Sequence, residues 1–345
     1  MKILAIETSC DETAAAIVTR ERGASQADLH AKFGGVYPEV ASREHVLHIL
    51  PVIAESLDLP IRQTDQLPSA AFRELDYLAV TQGPGLIGSL LVGVQTVASL
   101  GLSTGLPILP VNHLAGHIYA SFIRNEASDV APEFPLLALV VSGGHTMLIR
   151  MTGHHEYELL GQTRDDAAGE AFDKVAKLLD LGYPGGPKIS ALAKQGDRHA
   201  YSFPIGLEHE HTFDFSFSGL KTAVLRQVQQ LGNSLSLDQK ADIAASFEQA
   251  VVSALVQKTI QALDAFPVRH MILGGGVAAN AYLRERLGSV LAYRVPAVKL
   301  HVPPLSLCTD NAAVIGAAAA FGSLAPIVPA KLQAKARWPL VTFNM

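Results

Sequence analysis

The sequence is poor in cysteine, because its 345 residues include only Cys10 and Cys308. Two cysteines so far apart exclude a disulfide framework and indicate a reducing compartment. Basic residues are not in excess either, since the formal net charge is −5, and this excludes a surface that is basic throughout. The N-terminus does not have the form of a signal peptide, because Glu7 interrupts its short apolar run. We therefore expect a cytoplasmic protein.

Charged residues are missing from one long stretch. Between Tyr77 and Ile123 the chain has no Asp, Glu, Lys or Arg. Such a stretch is long enough to cross a membrane, which takes about 20 apolar residues. However, polar residues and the prolines Pro84, Pro107 and Pro110 divide it into short pieces. We therefore predict a buried helix and strand of a soluble core, and no membrane span.

Two histidines in this stretch, in His113-Leu-Ala-Gly-His117, are spaced as metal ligands on a helix. Side chains at positions i and i+4 lie on one helix face, with Cβ atoms about 6 Å apart, so both imidazoles can reach one ion. A zinc protease of the usual helical type carries a catalytic glutamate after the first histidine, as in H-E-x-x-H. Leu114 occupies that position. The pair therefore indicates a metal site and argues against peptide hydrolysis.

Two strand–turn–strand segments indicate a duplicated α/β core. The first covers residues 1–17, and the second runs from Leu136 to Arg150. Both are apolar runs around small polar turn residues, a pattern typical of β-hairpins. We predict one hairpin in each of two lobes. The predicted parts are a first lobe over 1–132 completed by an Ala-rich helix at about 309–325, a second lobe over 133–308, and an extended tail over 326–345.

Three glycine turns of the second lobe are suited to binding an anion. They are Ser142-Gly-Gly-His145, Gly185-Gly186 and Gly274-Gly-Gly276, and the last leads from a strand into a helix. Glycine turns present backbone N–H groups with little side chain in the way. Neither G-x-G-x-x-G nor the P-loop motif occurs at these turns. Together the turns favour a nucleotide held in a cleft between the lobes. A long amphipathic helix is also predicted over about 238–266.

Several polar residues keep more than one interpretation at this point. Asp310 precedes the Ala-rich helix and is either its N-cap or the third ligand that a two-histidine site requires. Asp11 and Glu12 lie in the first turn, where solvated acids are common. Asp173 lies on a predicted amphipathic helix and is either solvent-facing or functional. His145 is a metal ligand, a phosphate contact or a turn residue.

Six motifs follow one another along the chain from residue 1 to about 322. They are Glu7-Thr-Ser-Cys-Asp-Glu-Thr13, His113-Leu-Ala-Gly-His117, Val141-Ser-Gly-Gly-His-Thr146, Phe215-Ser-Phe-Ser-Gly-Leu-Lys-Thr222, Gly274-Gly-Gly-Val-Ala-Ala-Asn280 and Cys308-Thr-Asp-Asn311. In this order they resemble the TsaD family of tRNA N6-adenosine threonylcarbamoyltransferases, once known as O-sialoglycoprotein endopeptidases.

The resemblance implies a two-lobed actin-like ATPase fold, similar to that of sugar kinases, with an interlobe cleft. It implies transfer of threonylcarbamoyl from threonylcarbamoyl-AMP to the N6 amine of the adenosine 3′ of the anticodon, in tRNAs that read codons beginning with A. His113, His117 and Asp310 would hold one metal ion, Fe²⁺ in first place and Zn²⁺ as the alternative. The implied ligands of the adenylate are Val141, Ser142, Gly143, Gly144, His145, Asp173, Gly186 and Asn280.

The resemblance also implies partners. They are tRNA and the proteins TsaB and TsaE.

Ser190 follows the Gly-Gly-Pro turn at a position that can contact the ligand. Some relatives carry an acidic residue there, and this chain has a serine instead. Asp11 and Glu12 are hypothetical groups that orient or deprotonate the acceptor amine. The alternatives to a transferase are a metal-dependent peptidase and a non-catalytic actin-like scaffold.

Overall fold

The protein consists of two α/β units. One unit comprises Met1–Asp129 and Thr309–Met345, and the other comprises Val130–Cys308. The structure is a computed structural model that describes residues 1–18, 20–25, 38–59, 67–123, 130–232, 234–321 and 324–341, with only the backbone of 20–25.

Ten strands lie in the described part of the chain, five in each unit. They are β1 (Ile3–Glu7), β2 (Glu12–Ile17), β3 (Arg20–Ser25), β4 (Tyr77–Gly83), β5 (Ile108–Asn112), β6 (Leu136–Val141), β7 (Thr146–Gly153), β8 (Glu156–Gln162), β9 (His270–Gly274) and β10 (Lys299–His301).

The same described ranges contain nine α-helices. They are α1 (Pro38–Ser56), α2 (Ile87–Thr104), α3 (His113–Tyr119), α4 (Ala168–Leu178), α5 (Gly185–Ala193), α6 (Ser218–Leu231), α7 (Leu237–Ala265), α8 (Ala281–Arg294) and α9 (Ala312–Ala320).

The two sheets have the same strand order. The first sheet runs β3-β2-β1-β4-β5, and the second runs β8-β7-β6-β9-β10 when read in the matching direction. In each sheet the three strands of the hairpin side are antiparallel. Strands β4 and β9 pair in parallel with β1 and β6, and strands β5 and β10 pair in parallel with β4 and β9. The predicted duplicated α/β core and its two hairpins are therefore confirmed.

Each unit has its own apolar core. In the first unit, buried side chains of β1, β4 and β5 pack with those of α1 and α2. In the second unit, α7 supplies a continuous buried face that includes Ile243, Phe247, Val251 and Leu255. The helix predicted over about 238–266 is confirmed. The helix begins at a capping box, in which the side chains of Ser236 and Gln239 each accept a hydrogen bond from the backbone N–H of the other residue. This motif is a sequence signature of a helix N-terminus.

Helix α2 differs from the buried helix that the charge-free stretch predicts. Leu90, Val94 and Val97 face the core, whereas Ile87, Leu91 and Leu102 are 50%, 43% and 77% exposed. By length and composition α2 could cross a membrane, although one such helix is weak evidence because core helices of soluble proteins meet the same criteria. The outer face of α2 is thus apolar and exposed.

The C-terminal segment packs on the first unit. Helix α9 covers Ala312–Ala320 and is shorter than the predicted range of about 309–325, because Asn311 caps its start and the backbone of Phe321 is extended. It packs against β1 and α3. Beyond it, Ile327 forms a β-bridge with Ile108, and a single 3-10 turn covers Pro329–Lys331.

The turn after β9 requires glycine at position 275. Gly275 has a φ of +91°, and a Cβ atom there would collide with the carbonyl oxygen of Val141. We predict that Gly275→Ala lowers the free energy of unfolding by about 2 kcal/mol or more, since it adds both backbone strain and a clash. Urea unfolding measures the difference. Gly276→Ala is the matched control, because no atom of the described residues, its chain neighbours apart, lies within 4 Å of its Cβ position. Equal stability of the two variants would contradict this explanation.

Candidate functional site

The two histidines of the first unit lie on one face of α3. This helix begins directly after β5, where Asn112 caps it by accepting a hydrogen bond from the backbone of Leu114 at 2.9 Å. His113 and His117 are both buried, and their ring centroids are 4.6 Å apart. The predicted helical i, i+4 arrangement is therefore present. Leu114, at the position of a protease's glutamate, is a buried apolar side chain.

Asp310 meets both histidines. Its Oδ1 atom lies 3.5 Å from Nε2 of His113 and 3.5 Å from Nε2 of His117. The N-cap of α9 is instead Asn311, whose side chain accepts a hydrogen bond from the backbone of Val314 at 3.0 Å. The two interpretations of Asp310 are thus separated: the adjacent asparagine caps the helix, and the aspartate faces the imidazoles.

Glu7 holds the other side of the His113 ring. Its Oε2 atom is 3.1 Å from Nδ1 of His113 and accepts a hydrogen bond from Thr81 at 2.7 Å. Its Oε1 atom accepts from the backbone N–H of Ser9. Glu7 is fully buried, so these partners satisfy a carboxylate that water does not reach. Nδ1 of His113 is therefore engaged, and its Nε2 atom points toward Asp310.

Burial and these contacts shift the pKa values of Glu7, His113 and Asp310. Burial alone would raise the pKa of Glu7, but the charge of His113 and the hydrogen bonds lower it to about 2. Burial alone would lower the pKa of His113, but the carboxylates of Asp310 and Glu7 raise it to about 9. For Asp310, burial raises the pKa to about 6 despite the attraction of His113. Without an ion, His113 is therefore protonated at neutral pH between two acids.

The three side chains fit a metal ion. Two ligands about 2.1 Å from one ion at a tetrahedral angle are about 3.4 Å apart, close to the spacing from each imidazole to Asp310. The three ligand atoms all lie within 4.8 Å of one another. Two histidines with one carboxylate are the ligand set of many non-haem Fe²⁺ centres. Glu7 also supplies the carboxylate that ligating histidines usually bind through their second nitrogen.

Acidic residues of the first turn lie beside Asp310. Ligand atoms of Cys10, Asp11 and Asp310 fall within 4.8 Å of one another. Burial, together with the charges of Asp11 and Asp310, raises the pKa of the Cys10 thiol, so the thiol stays protonated. Glu12 is the first residue of β2 and is half-buried. The structure therefore brings Asp11 to the candidate metal site and places Glu12 one residue further along.

The second unit contains a cavity of about 530 Å³. Phe172, Tyr183, Val277 and Leu305 supply apolar walls. Asp173, Lys194 and Asn280 supply charged or polar groups. This volume and this mixed lining are typical of sites for small organic ligands.

The predicted adenylate ligands are only partly at this cavity. Gly143, Asp173, Gly186 and Asn280 line it. Asp173 also accepts a hydrogen bond from the backbone of Gly185 at 2.7 Å, so it fixes the start of α5 and is not simply a solvated acid.

The other residues of the Ser-Gly-Gly-His turn do not line the cavity. Val141 is fully buried at the end of β6, and the hydroxyl of Ser142 accepts from the backbone of His145 at 3.2 Å. Gly144 is exposed and His145 half-buried. The turn itself is closed by a bond from the Ser142 N–H to the His145 carbonyl at 2.8 Å.

A buried acid behind the cavity wall was missed by sequence reasoning. Glu248, on α7, is 1% exposed. Its Oε1 atom accepts hydrogen bonds from Ser190 at 2.7 Å and from Asn280 at 2.8 Å, and its Oε2 atom accepts from Arg198 at 2.8 Å. Asn280 uses its other end to cap α8, accepting from Leu283 at 2.8 Å. The sequence feature that identifies Glu248 is a charged residue within the apolar face of the helix predicted over about 238–266.

Comparison with known proteins identifies the family of this chain. A family model described as "TsaD: tRNA N6-adenosine threonylcarbamoyltransferase" matches residues 18–317. A protein of that name from Symbiobacterium thermophilum is 53% identical over 322 residues, covering 92% of this chain and 90% of its own. Another from Paracidovorax citrulli is 47% identical over 353 residues, covering 98% and 97%. The chain belongs to the TsaD family.

Membership of this family makes the protein a transferase. Among solved structures, the HypF protein of T. kodakarensis is similar in fold, with a TM-score of 0.59 and 14% sequence identity. The match covers 92% of this chain and 47% of that protein. The chain thus shares the fold of that structure.

The Glu7–His113 contact predicts a pH dependence of stability for the metal-free enzyme. Because the pKa of His113 is raised from 6.5 to about 9, its charged form contributes stability that is complete below pH 6.5 and is lost as the pH rises through about 9. We expect the free energy of unfolding to fall by roughly 3 kcal/mol across that window. The pKa of Asp310 is about 6, so its titration changes the stability below this pH window.

Glu7→Gln should weaken this dependence, because the neutral amide no longer stabilises the imidazolium, whereas the charge of Asp310 still does. Urea unfolding at several pH values between 6 and 9.5 measures the effect in protein treated with a chelator. Glu74→Gln is the control, since that acid is 80% exposed. A slope that stays the same in Glu7→Gln would show that the contact does not hold the His113 proton.

Glu248 is predicted to hold the cavity wall in shape. Glu248→Gln replaces one acceptor oxygen by a donor and removes the charge opposite Arg198, so we expect a loss of about 3 kcal/mol in unfolding free energy. Because glutamine keeps one acceptor oxygen, this oxygen can face either Arg198 or the pair Ser190 and Asn280, and the other contact is lost. Urea unfolding measures the change. Glu285→Gln, at an exposed position on α8, is the control. Wild-type stability in Glu248→Gln would refute this role.

Proposed function

We propose that the enzyme transfers threonylcarbamoyl from threonylcarbamoyl-AMP to the N6 amine of the adenosine 3′ of the anticodon, in tRNAs that read codons beginning with A. The names of its relatives support the reaction and its acceptor. The observation that carries the proposal for this chain is the meeting of His113, His117 and Asp310 in the first unit. A cavity of mixed polar and apolar lining in the second unit supports an adenylate as the donor.

The adenylate is proposed to bind in the cavity of the second unit. Its volume of about 530 Å³ suits a ligand of nucleotide size. Phe172 and Tyr183 offer apolar surfaces for the adenine ring, and Lys194 offers a positive charge for the phosphate. Asp173 and Asn280 are polar groups at the wall that can orient the ribose. AMP is the leaving group, so groups that bind the phosphate also stabilise the charge that develops on it.

The metal is proposed to be Fe²⁺, with Zn²⁺ as the alternative, held by His113, His117 and Asp310. A bound ion with open positions supplies Lewis-acid polarisation of a donor oxygen. Glu7 orients the His113 ring so that its Nε2 atom points at the ion position. Since three protein ligands leave coordination positions for substrate, this ligand set suits a catalytic rather than a purely structural site.

The acceptor amine is the nucleophile in this proposal. Its nitrogen forms a bond to the carbamoyl carbon, the bond from that carbon to the phosphate oxygen breaks, and the amine releases a proton. The donor is already activated, so no Ser or Cys nucleophile is required. Asp11 and Glu12 are the proposed acids that orient the amine or accept its proton. Support for Asp11 is its position beside Asp310, and support for Glu12 is its place in the same turn.

TsaB and TsaE are the proposed protein partners, and the cytoplasm is the proposed location. The first unit offers an apolar surface for such a partner. Val46 and Leu47 on α1 are 61% and 65% exposed, and Ile87 and Leu91 on the adjacent α2 are 50% and 43% exposed. Exposed apolar residues on two packed helices are typical of a protein–protein interface. We propose this face of α1 and α2 as the TsaB contact.

The metal proposal predicts a loss of both metal and activity in His113→Ala. We expect bound iron to fall at least tenfold, because one of three ligands is gone, and transfer of labelled threonine to tRNA to fall at least a hundredfold in a reconstituted mixture with the partner proteins. Metal content is measured by elemental analysis of the purified protein. His199→Ala removes an exposed histidine and should keep both values. Full transfer by His113→Ala would rule out this metal centre.

A further inference from the structure

The C-terminal part of the chain is basic, in contrast to the rest. The whole protein has a formal net charge of −5. After Asp310, however, no Asp or Glu occurs, whereas Lys331, Lys335 and Arg337 do. These three cations, together with the single tryptophan of the chain, Trp338, lie within residues 331–338, which we call the C-terminal strap.

The strap is tied to the first unit through its backbone. The N–H of Lys335 donates to the carbonyl of Gln82 at 2.8 Å, and the carbonyl of Ala336 accepts from the N–H of Gly85 at 3.3 Å. Between these hydrogen bonds the strap and the segment around Gly83 run so close together that a Cβ atom on Gly83 would collide with the carbonyl oxygen of Lys335. Buried Leu332 anchors the start of the strap in the core.

Its side chains are presented to solvent. Lys331, Lys335 and Arg337 are all exposed. Nζ of Lys335 lies 4.7 Å from the centre of the Trp338 ring, a cation–π contact that orders both side chains. A backbone hydrogen-bonded to the first unit thus carries three cations and an aromatic ring on a short segment. Ordered side chains lose less entropy when they bind a ligand.

The strap lies next to the candidate metal site. The carbonyl of Trp338 accepts a hydrogen bond from Nδ2 of Asn112 at 3.0 Å. Asn112 is the N-cap of α3, and the next residue is His113. One side chain therefore joins the strap to the helix that carries two of the three candidate ligands.

We infer that the C-terminal strap is a tRNA-binding surface, in which Lys331, Lys335 and Arg337 bind phosphates near the reacting nucleotide. This inference rests on the proposed function, in which tRNA is the acceptor. Phosphate contacts from Lys and Arg position nucleic acids, and a tryptophan beside them offers a stacking surface for a base of a single-stranded loop. An acidic whole protein needs such a local basic surface to attract RNA. The strap is basic, ordered and adjacent to the site.

The test replaces the three cations together, in Lys331→Gln/Lys335→Gln/Arg337→Gln, and measures the KM for tRNA in the reconstituted transfer reaction at several salt concentrations. Each lost phosphate contact lowers the slope of log affinity against log salt concentration by about 0.7. The loss of three contacts lowers this slope by about 2. We therefore expect the KM for tRNA to rise about 100-fold at 0.1 M salt, and its salt dependence to become shallower. The KM for the donor should stay at the wild-type value.

Two controls separate charge from fold. The triple variant Lys331→Arg/Lys335→Arg/Arg337→Lys keeps the charges and should keep the KM for tRNA within a few-fold. The variant Lys177→Gln/Arg269→Gln/Lys299→Gln removes the same charge from exposed positions of the second unit and should leave the KM for tRNA near that of the wild type. Thermal unfolding of all three variants should match the wild type, because every substituted side chain is exposed.

The outcomes distinguish this inference from the proposed function. A wild-type enzyme that does not modify tRNA would refute the function itself. Normal wild-type transfer with an unchanged KM for tRNA in the neutral strap variant would overturn the strap inference alone. If that variant instead needs more partner protein for the same rate, with an unchanged KM for tRNA, the strap binds an acidic protein and the inference is also overturned. An equal rise of KM in both neutral variants would show a bulk charge effect rather than a binding surface.

Discussion

A buried contact between the carboxylate of Glu7 and the imidazole of His113 organises the candidate metal centre. Glu7 is the last residue of β1, and His113 is the first residue of α3, directly after β5. Thr81, on the intervening strand β4, donates to the same carboxylate oxygen. A buried carboxylate is stable only when such partners surround it. The order of three neighbouring strands therefore decides how the first ligand of the metal site is oriented.

Both units place their functional groups at equivalent ends of their sheets. In the first unit, β1, β4 and β5 are parallel, and Glu7 and His113 lie at or just beyond their carboxyl ends. In the second unit, parallel strands β6 and β9 end at Val141 and Gly274, where the two glycine turns begin. The carboxyl ends of parallel strands are the usual ligand-binding edge of α/β sheets. The two related sheets thus carry two candidate sites of different chemistry, a set of side chains suited to a metal ion and a cavity of mixed polar and apolar lining.

Local patterns predicted the elements well because their causes are local. The alternation of apolar runs and polar turns was sufficient for the two hairpins, and the i, i+4 spacing was sufficient to place His113 and His117 on one helix face. Local patterns failed where two adjacent residues competed for one role. Asp310 and Asn311 are both good helix caps, and only the packing of α9 against α3 turns the aspartate to the imidazoles. Burial of α2 was overestimated, since an apolar composition does not state which face meets the core.

The sequence by itself determined the family, the duplicated α/β core and the histidine pair on one helix face, because these depend on the order and spacing of motifs along the chain. Only the tertiary structure revealed Glu7 as the partner of His113, Glu248 behind the wall of the cavity, and the C-terminal strap against the cap of α3. These contacts join residues that are 32 to 226 positions apart. Their partners are chosen by strand order and helix packing, and no spacing along the chain encodes that choice.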